Sequence, residues 1–179
     1  MKATGIVRRI DDLGRVVIPK EIRRTMRIRE GDSLEIYTDK DGEVIFKKYS
    51  PMGELSSFAS QMCDTLSKTT NASTAVVDRD SVISASGNHR RGIIDKRISE
   101  ELERIMEGRQ VFQYKSGEPK IPLVEGVNCY VEIAAPIISE GDVSGCVIFI
   151  SDENESVMGD TEYKLAQTVA GFLGKQMEA

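Results

Sequence analysis

The chain changes character near residue 50, and this change limits the folds that are open to it. Residues 1–50 carry 12 basic and 9 acidic side chains, whereas residues 51–179 carry 12 basic and 20 acidic ones. The first segment is therefore net positive by three and the second net negative by eight. Charge divided in this way predicts two domains with separate tasks. Their predicted boundary is Ser50-Pro51, which gives domains over 1–50 and 51–179.

The first segment is too small to build an apolar core from one chain. Even a domain of about 60 residues buries only about 60% of the surface of its unfolded chain. The first fifty residues also contain neither Trp nor Cys. Dimerisation would supply the missing contacts, and a two-fold dimer would duplicate every basic side chain on one paired face.

Short strands and one helix are predicted within the first segment. Residues 4–10 read as a short strand, with Ile6, Arg8 and Ile10 on one face and Val7 and Arg9 on the other, and Pro19 suits the first turn of a helix. Ile18, Ile22 and Met26 then form one apolar stripe at four-residue spacing, typical of a helix that is buried on one side. The predicted elements are strands over 4–10 and 15–18, a helix after Pro19, and a hairpin of strands over 33–38 and 43–48.

The second segment has the periodicity of a folded domain. Apolar residues recur at three- and four-residue spacing near both ends, which predicts an amphipathic helix at each end. The predicted elements are a helix ending at Asn71, strands over 74–78 and 82–85, a polar loop over 86–92, a helix over 98–108, strands over 111–114, 128–138 and 144–151, and a helix over 161–177. This order is typical of an α+β sheet covered by helices, as in sensor domains.

The two terminal helices are also candidates for contacts between subunits. Their apolar stripes could be ordinary core, or they could form a helix bundle between two copies of the chain. We predict the bundle. The residues predicted to carry it are Leu55, Phe58, Met62, Leu66, Leu165, Val169, Phe172 and Leu173.

Composition disfavours several other classes of protein. Cys63, Cys129 and Cys146 are odd in number and widely spaced, which argues against disulfides and against a zinc site. His89, the only histidine, reads as a surface loop residue, although it could line a ligand pocket. No phosphate loop, nucleophile elbow or catalytic carboxylate pair is found, so we expect no enzyme activity, no cofactor and no metal ion. No apolar run could cross a membrane, which predicts a cytoplasmic protein without a membrane partner.

Three runs in the first segment are specific enough to indicate a family. They are GRVVIP at 14–19, EIRR at 21–24 and GDSLEIY at 31–37. Residues 3–49 resemble the AbrB-type swapped-hairpin family of bacterial DNA-binding regulators. The resemblance implies a small β-rich domain in which two chains intertwine, with double-stranded DNA as its partner. The expected fold class is α+β, with this dimerisation and DNA-binding domain followed by a second domain.

The resemblance also implies which side chains contact DNA. They are the arginines at positions 8, 15, 23 and 24, and each guanidinium presents a planar fork of donors to phosphate oxygens or to guanine. Local charge adds Arg9 and Lys2 to the predicted set, while Arg27 and Arg29 could be only structural. The family pattern favours readout of DNA shape over a fixed base sequence. The predicted DNA-binding residues are Arg8, Arg15, Arg23, Arg24, Arg9 and Lys2.

With its long second segment, the chain resembles members of this family that act in spore development. The resemblance implies a GAF-like domain over 51–179, assembly of the N-terminal dimers into a tetramer, and activation and repression of transcription in the forespore, at the nucleoid. GAF domains often bind small molecules, so a small-molecule effector is a further expected partner. The Asn-Lys…Phe…Asp-Glu pattern of the cyclic-nucleotide group is absent, which leaves the ligand open.

Two rival classes remain open at this point. Swapped-hairpin modules also occur in antitoxins, but their tails are usually disordered, and the periodicity of residues 53–179 favours a folded sensor. Some GAF-fold enzymes reduce methionine sulfoxide with a cysteine thiolate, which must be exposed and have a lowered pKa. Cys129 and Cys146 fall in predicted strands, so buried packing is favoured over a catalytic role.

Overall fold

The computed structural model describes residues 5–152 and 158–178. The chain divides into two compact units, Met1–Tyr49 and Ser50–Ala179. Each unit has its own sheet, of two strands in the first and six in the second. None of the described helices is long and apolar enough to span a membrane.

The first unit contains one helix and one hairpin, both at the places predicted. Helix α1, Lys20–Met26, begins after Pro19 and ends at Arg27, whose left-handed backbone (φ 51°) directs its N–H at the carbonyls of Arg23 and Arg24. Strands β1, Leu34–Thr38, and β2, Val44–Lys48, pair in antiparallel register. The strands are joined by a loop that the Asp39 side chain closes, because it accepts hydrogen bonds from two backbone N–H groups of that loop.

The strands predicted over 4–10 and 15–18 are wrong for the single chain. Among described residues 5–18 no strand forms, and the segment reverses direction at a turn where the Asp11 N–H donates to the Arg15 carbonyl at 3.0 Å. A strand needs a neighbouring strand to satisfy its N–H and C=O groups, and residues 5–18 pair with no strand in the part of the chain that the structure describes. Its apolar side chains stay in solvent, with Val7 87% and Val17 72% exposed.

Polar contacts, more than apolar ones, tie the first unit together. The Lys48 ammonium donates to the Arg27 carbonyl at 3.1 Å and lies 3.2 Å from the Asp32 carboxylate. That carboxylate also accepts the Arg29 backbone N–H at 2.8 Å. Among residues 5–49, Pro19 is the only one that is buried.

The second unit is an antiparallel sheet with helices on both faces. The strand order is β4-β3-β8-β7-β5, and β6 also pairs with β7. The helices are α2 Pro51–Glu54, α3 Ser56–Thr70, α4 Arg90–Ile93, α5 Glu100–Glu107 and α6 Asp160–Met177, and the strands are β3 Ser73–Val77, β4 Val82–Ser86, β5 Phe112–Gln113, β6 Ile121–Pro122, β7 Tyr130–Ser139 and β8 Asp142–Ser151.

Two apolar clusters fill this unit, one on each face of the sheet. The first lies under α5 and includes Leu102 and Ile148, while the second lies under α2, α3 and α6 and includes Phe149 and Leu173. Helix α6 approaches the sheet very closely at Gly174, where a Cβ would lie 2.3 Å from the Ile138 carbonyl oxygen. Only glycine permits this backbone contact.

Three elements of the second unit were not predicted. They are the short helix α2, the short helix α4 in part of the expected polar loop over 86–92, and β6, a two-residue strand that contains a proline. All three are too short to produce a periodic pattern in the sequence. The other predicted helices and strands of this unit form within a few residues of their predicted bounds.

The prediction that eight residues of the terminal helices face another subunit is wrong for three of them. Leu66, Val169 and Leu173 lie in the core beneath α3 and α6, because these helices cover the sheet of their own unit. Leu55, Met62 and Leu165 are half-buried. Phe58 and Phe172 do face solvent, at 40% and 39% exposed.

Candidate nucleic-acid interface

The predicted DNA-binding arginines of the first unit are all at the surface. Arg8 and Arg9 lie in the extended segment before the turn, and Arg23 and Arg24 lie in the last turn of α1. Each of these side chains is exposed, as is Arg15. Lys2 lies outside the described residues.

Hydrogen bonds to Asp11 hold the turn at residues 11–15 and fix the backbone of Arg15. The Asp11 carboxylate accepts the backbone N–H groups of Leu13 and Arg15 at 3.0 and 2.7 Å, and the Arg15 Nε at 2.7 Å. The Arg15 backbone N–H, followed by its guanidinium, lowers the pKa of Asp11. A guanidinium carries five N–H donors, so Arg15 can hold this turn and still reach a phosphate.

Arg27 and Arg29 differ from the other arginines of the unit. Both are half-buried, and their backbones join the polar contacts with Lys48 and Asp32 described above. These backbone contacts stabilise the loop between α1 and β1. The interpretation of these two arginines as structural agrees with their placement.

A second polar group of side chains lies in the second unit, around a buried carboxylate. Glu132 on β7 is 1% exposed, and its Oε1 accepts the Ser151 hydroxyl at 2.6 Å. The Lys120 ammonium lies 3.9 Å from Oε1, between the rings of Tyr114 and Tyr130 at 5.6 and 5.4 Å. Glu132 Oε2 is buried with no hydrogen-bond partner among the described residues. Such an oxygen is costly to leave unpaired.

This polar group was missed at the level of the sequence. Its members come from positions 114 to 151 and meet only because β5, β6, β7 and β8 are neighbours in the sheet. No fixed spacing links them, and a lone glutamate in an apolar strand was the only available signal. His89, predicted as a surface loop residue, is half-buried and pairs through Nε2 with the Asp152 carboxylate, whose backbone carbonyl accepts the Lys120 ammonium.

The cysteines offer no nucleophile. All three are fully buried, and burial raises the pKa of Cys63 to about 11 and also raises the pKa of Cys129 and Cys146. A thiol of raised pKa is not a thiolate at neutral pH, so the thiol-dependent enzyme is disfavoured. In residues 5–152 and 158–178 no group of His, Cys, Asp and Glu could hold a metal ion.

Family comparisons account for both units. A family described as "Antidote-toxin recognition MazE, bacterial antitoxin" matches residues 7–53, and one described as "Stage V sporulation protein T C-terminal, transcription factor" matches residues 54–178. An exposed basic module joined to a regulatory domain of this kind defines a transcription factor. The protein that carries this name in Bacillus subtilis (strain 168) is 50% identical over 182 residues, covering 99% of each chain. The chain belongs to the stage V sporulation protein T family.

Relatives of the separate units agree with this assignment. The transition state regulatory protein AbrB of Bacillus subtilis is 65% identical over 51 residues, which is 28% of this chain and 52% of that protein. The solution structure of its N-terminal DNA recognition domain is also 65% identical and covers 28% of this chain and 94% of that one, with a TM-score of 0.26. The first unit is thus AbrB-like by sequence.

The second unit has the fold of a GAF domain. A GAF domain/HD domain protein from Geobacter sulfurreducens covers 71% of this chain and 95% of its own, with a TM-score of 0.52 and 16% identity. A likeness at this identity shows the fold alone. The predicted family and the predicted α+β class, with an AbrB-like unit followed by a GAF-like unit, are confirmed.

Proposed function

We propose that this sporulation transcription factor binds double-stranded DNA through Arg8, Arg15, Arg23 and Arg24, with Arg9 and Lys2 adding charge. The observation that carries the proposal is the exposure of the described members of this set, on the net positive segment of an acidic chain. Exposed arginines can neutralise phosphates, and Arg15, whose Nε contacts Asp11, keeps further N–H donors for this purpose. We assign residues 1–50 to this DNA-binding domain and residues 51–179 to a GAF-like regulatory domain.

The DNA-binding form is proposed to be an intertwined dimer. The first unit leaves apolar side chains exposed on its turn segment and on its hairpin, among them Ile10 and Ile36 at 69% and 64%. A second copy would cover these side chains and provide the missing strand partner. Each arginine would then occur twice on one face.

The GAF-like domains are proposed to join two such dimers into a tetramer. Phe58 on α3 and Phe172 on α6 are large aromatic side chains on exposed helix faces of this unit, and exposed aromatic residues are common anchors of protein interfaces. The tetramer would hold several DNA-binding faces on one duplex, which raises their effective concentration. We place it at the nucleoid in the cytoplasm of the forespore, where it activates some genes and represses others.

A small-molecule effector is proposed to bind at Glu132. The unpaired Oε2 needs a donor, and an N–H group of a small amine or amino acid would supply one. Thermal melts of the full chain with methylammonium and with each amino acid test this. A probe that raises Tm in the parent protein and not in Glu132→Gln supports the site. No change in Tm, or an equal change in the parent and in Glu132→Gln, would refute the effector site and indicate a carboxylate that binds only water.

The DNA-binding proposal is tested by affinity against salt. If eight arginines per dimer all contact phosphates, the log–log slope is near −7, since each contact contributes about 0.9. Alanine at positions 8, 15, 23 and 24 should remove most of this slope. The matched control replaces four exposed basic residues of the second unit with alanine: Arg104, Arg109, Lys115 and Lys164. A shallow slope, or equal losses in both variants, favours a protein-binding module of the antitoxin kind.

A further inference from the structure

The GAF-like unit carries one basic segment in an otherwise acidic surface. Residues 86–99 contain four basic side chains and one acidic one, whereas the rest of residues 51–179 contain eight basic and nineteen acidic ones. The segment is therefore net positive by three in surroundings that are net negative by eleven. All four basic side chains are exposed. We call them the basic edge: Arg90, Arg91, Lys96 and Arg97.

The basic edge lies along β4, the outermost strand of the sheet on its side. Its two arginines at 90 and 91 are on α4, directly after the end of β4. The chain then returns beside the start of β4, where the Lys96 carbonyl accepts the Val82 N–H at 2.9 Å and Arg97 forms a bridge with Ser81. The Lys96 N–H also donates to the Ile93 carbonyl at 3.0 Å, so a tight turn joins the two basic pairs beside β4.

The backbone beneath the first pair is fixed. Gly87 has a φ of 95°, and a Cβ there would lie 2.5 Å from the Ser73 hydroxyl oxygen. The same hydroxyl accepts the Asn88 N–H at 3.2 Å, and the next residue, His89, pairs with Asp152. These contacts hold the approach to α4 against β3 and the end of β8.

The backbone beneath the second pair is fixed as well. Asp95 donates its N–H to the Val82 carbonyl at 2.9 Å, and Ile98 donates its own to the Asp80 carbonyl at 3.1 Å. The charged ends remain in solvent while their backbone is ordered. Binding through such a preorganised surface costs less conformational entropy than binding through a mobile tail.

We propose that the basic edge is a second DNA contact, which binds phosphates of the duplex that the first unit holds; it therefore rests on the proposed function. Four exposed cations on one ordered edge can neutralise neighbouring phosphates of the DNA backbone. Contacts of this kind position a protein on DNA and carry no base sequence.

The chemistry of the segment favours DNA over a protein partner. Among residues 86–99 no large apolar side chain is exposed, whereas protein interfaces are built around buried aromatic or aliphatic anchors. Three of the four basic residues are arginines, which suit phosphate because their donors form a planar fork.

The test measures the salt dependence of DNA binding by the full chain. Alanine at positions 90, 91, 96 and 97 should reduce the steepness of the slope by about 3.6 for each basic edge on DNA, at about 0.9 per contact. The matched control is alanine at 104, 109, 115 and 164, which changes net charge equally and should leave the slope within about one contact of the parent value. Lysine at 90, 91 and 97 should preserve the slope, because the charge remains.

Each failure of this test has a separate meaning. If the basic-edge variant keeps the parent slope while the variant at 8, 15, 23 and 24 loses it, the second contact is refuted and the proposed function stands. If neither variant changes the slope, the proposed function fails. If sedimentation shows that the basic-edge variant changes its oligomeric state and keeps the slope, the surface joins copies of the chain, and the DNA contact is refuted.

Discussion

The two units of this chain obtain their apolar cores in opposite ways. Residues 50–152 and 158–178 bury large side chains such as Phe149 and Leu173 on both faces of one sheet. In residues 5–49 the only buried residue is Pro19, and eleven large apolar side chains are exposed. The second unit therefore has apolar clusters of its own, whereas the described part of the first leaves its large apolar side chains exposed or half-buried.

The energetic scale of that difference is large. Burying one side chain of Val, Leu or Ile contributes about 1.5 to 3 kcal/mol. Covering four of the eleven exposed side chains with a second copy would thus contribute about 6 kcal/mol or more, which compares with the 5 to 15 kcal/mol that stabilises a whole domain. Folding and dimerisation of the first unit should therefore be one event.

The largest expected effect is loss of the first unit on dilution. A peptide of residues 1–50 should lose its far-ultraviolet circular dichroism as its concentration falls below the dimer dissociation constant, because the single chain has no core. A chain of residues 50–179 should keep its signal over the same range. A folded monomer of residues 1–50 at low concentration would show that the first unit does not need a second copy to fold.

Two neighbouring residues on α6 sharpen the contrast within the second unit. Leu173→Ala should lower the free energy of unfolding of this unit by about 2 to 5 kcal/mol, because Leu173 is fully buried. Phe172→Ala should change it by less than about 1 kcal/mol and should instead weaken the tetramer. Chemical denaturation and sedimentation of both variants separate these effects. Equal destabilisation by both would mean that Phe172 is ordinary core.

The smallest expected effect concerns acid stability of the first unit. The folded pKa of Asp11 lies below its ordinary value of 3.8 because of hydrogen bonds from Arg15. A depressed pKa adds stability above the unfolded pKa, and that stability is lost as pH falls through the folded one. Below about pH 4 the dimer of residues 1–50 should therefore lose stability more steeply than its Asp11→Asn variant. Urea melts at pH 6 and pH 3 measure the free energy of unfolding. An equal loss between these two pH values in the parent and in Asp11→Asn would contradict the prediction. The exposed position of Asp11 keeps the effect small.

The difference between the two units also explains which helices and strands could be predicted from the sequence. Helices α3, α5 and α6 were predicted because an amphipathic helix packed within its own unit leaves a periodic pattern. The strands over 4–10 and 15–18 were predicted from their β-branched residues, but residues 5–18 pair with no strand among the described residues of the chain. The contacts of Glu132 could not be predicted, because they depend on the alignment of β7 with β8, and no local rule sets that alignment.

The stripes on α3 and α6 illustrate a further limit. A period of 3.6 residues identifies which side of a helix is apolar, but it does not identify what covers that side. The sheet of the same unit covers Leu66 and Leu173, and only the flanking Phe58 and Phe172 remain exposed. Only the three-dimensional packing separates the buried from the exposed residues of each stripe.

The close approach at Gly174 leaves no room for a side chain between α6 and β7 at this point. Most helices rest on a sheet through side chains that can change rotamer and absorb a small displacement, but here the Ile138 carbonyl would meet any Cβ at 2.3 Å. The same strand carries Glu132, six residues before Ile138. Any larger residue at position 174 would therefore push α6 away from the strand that carries Glu132.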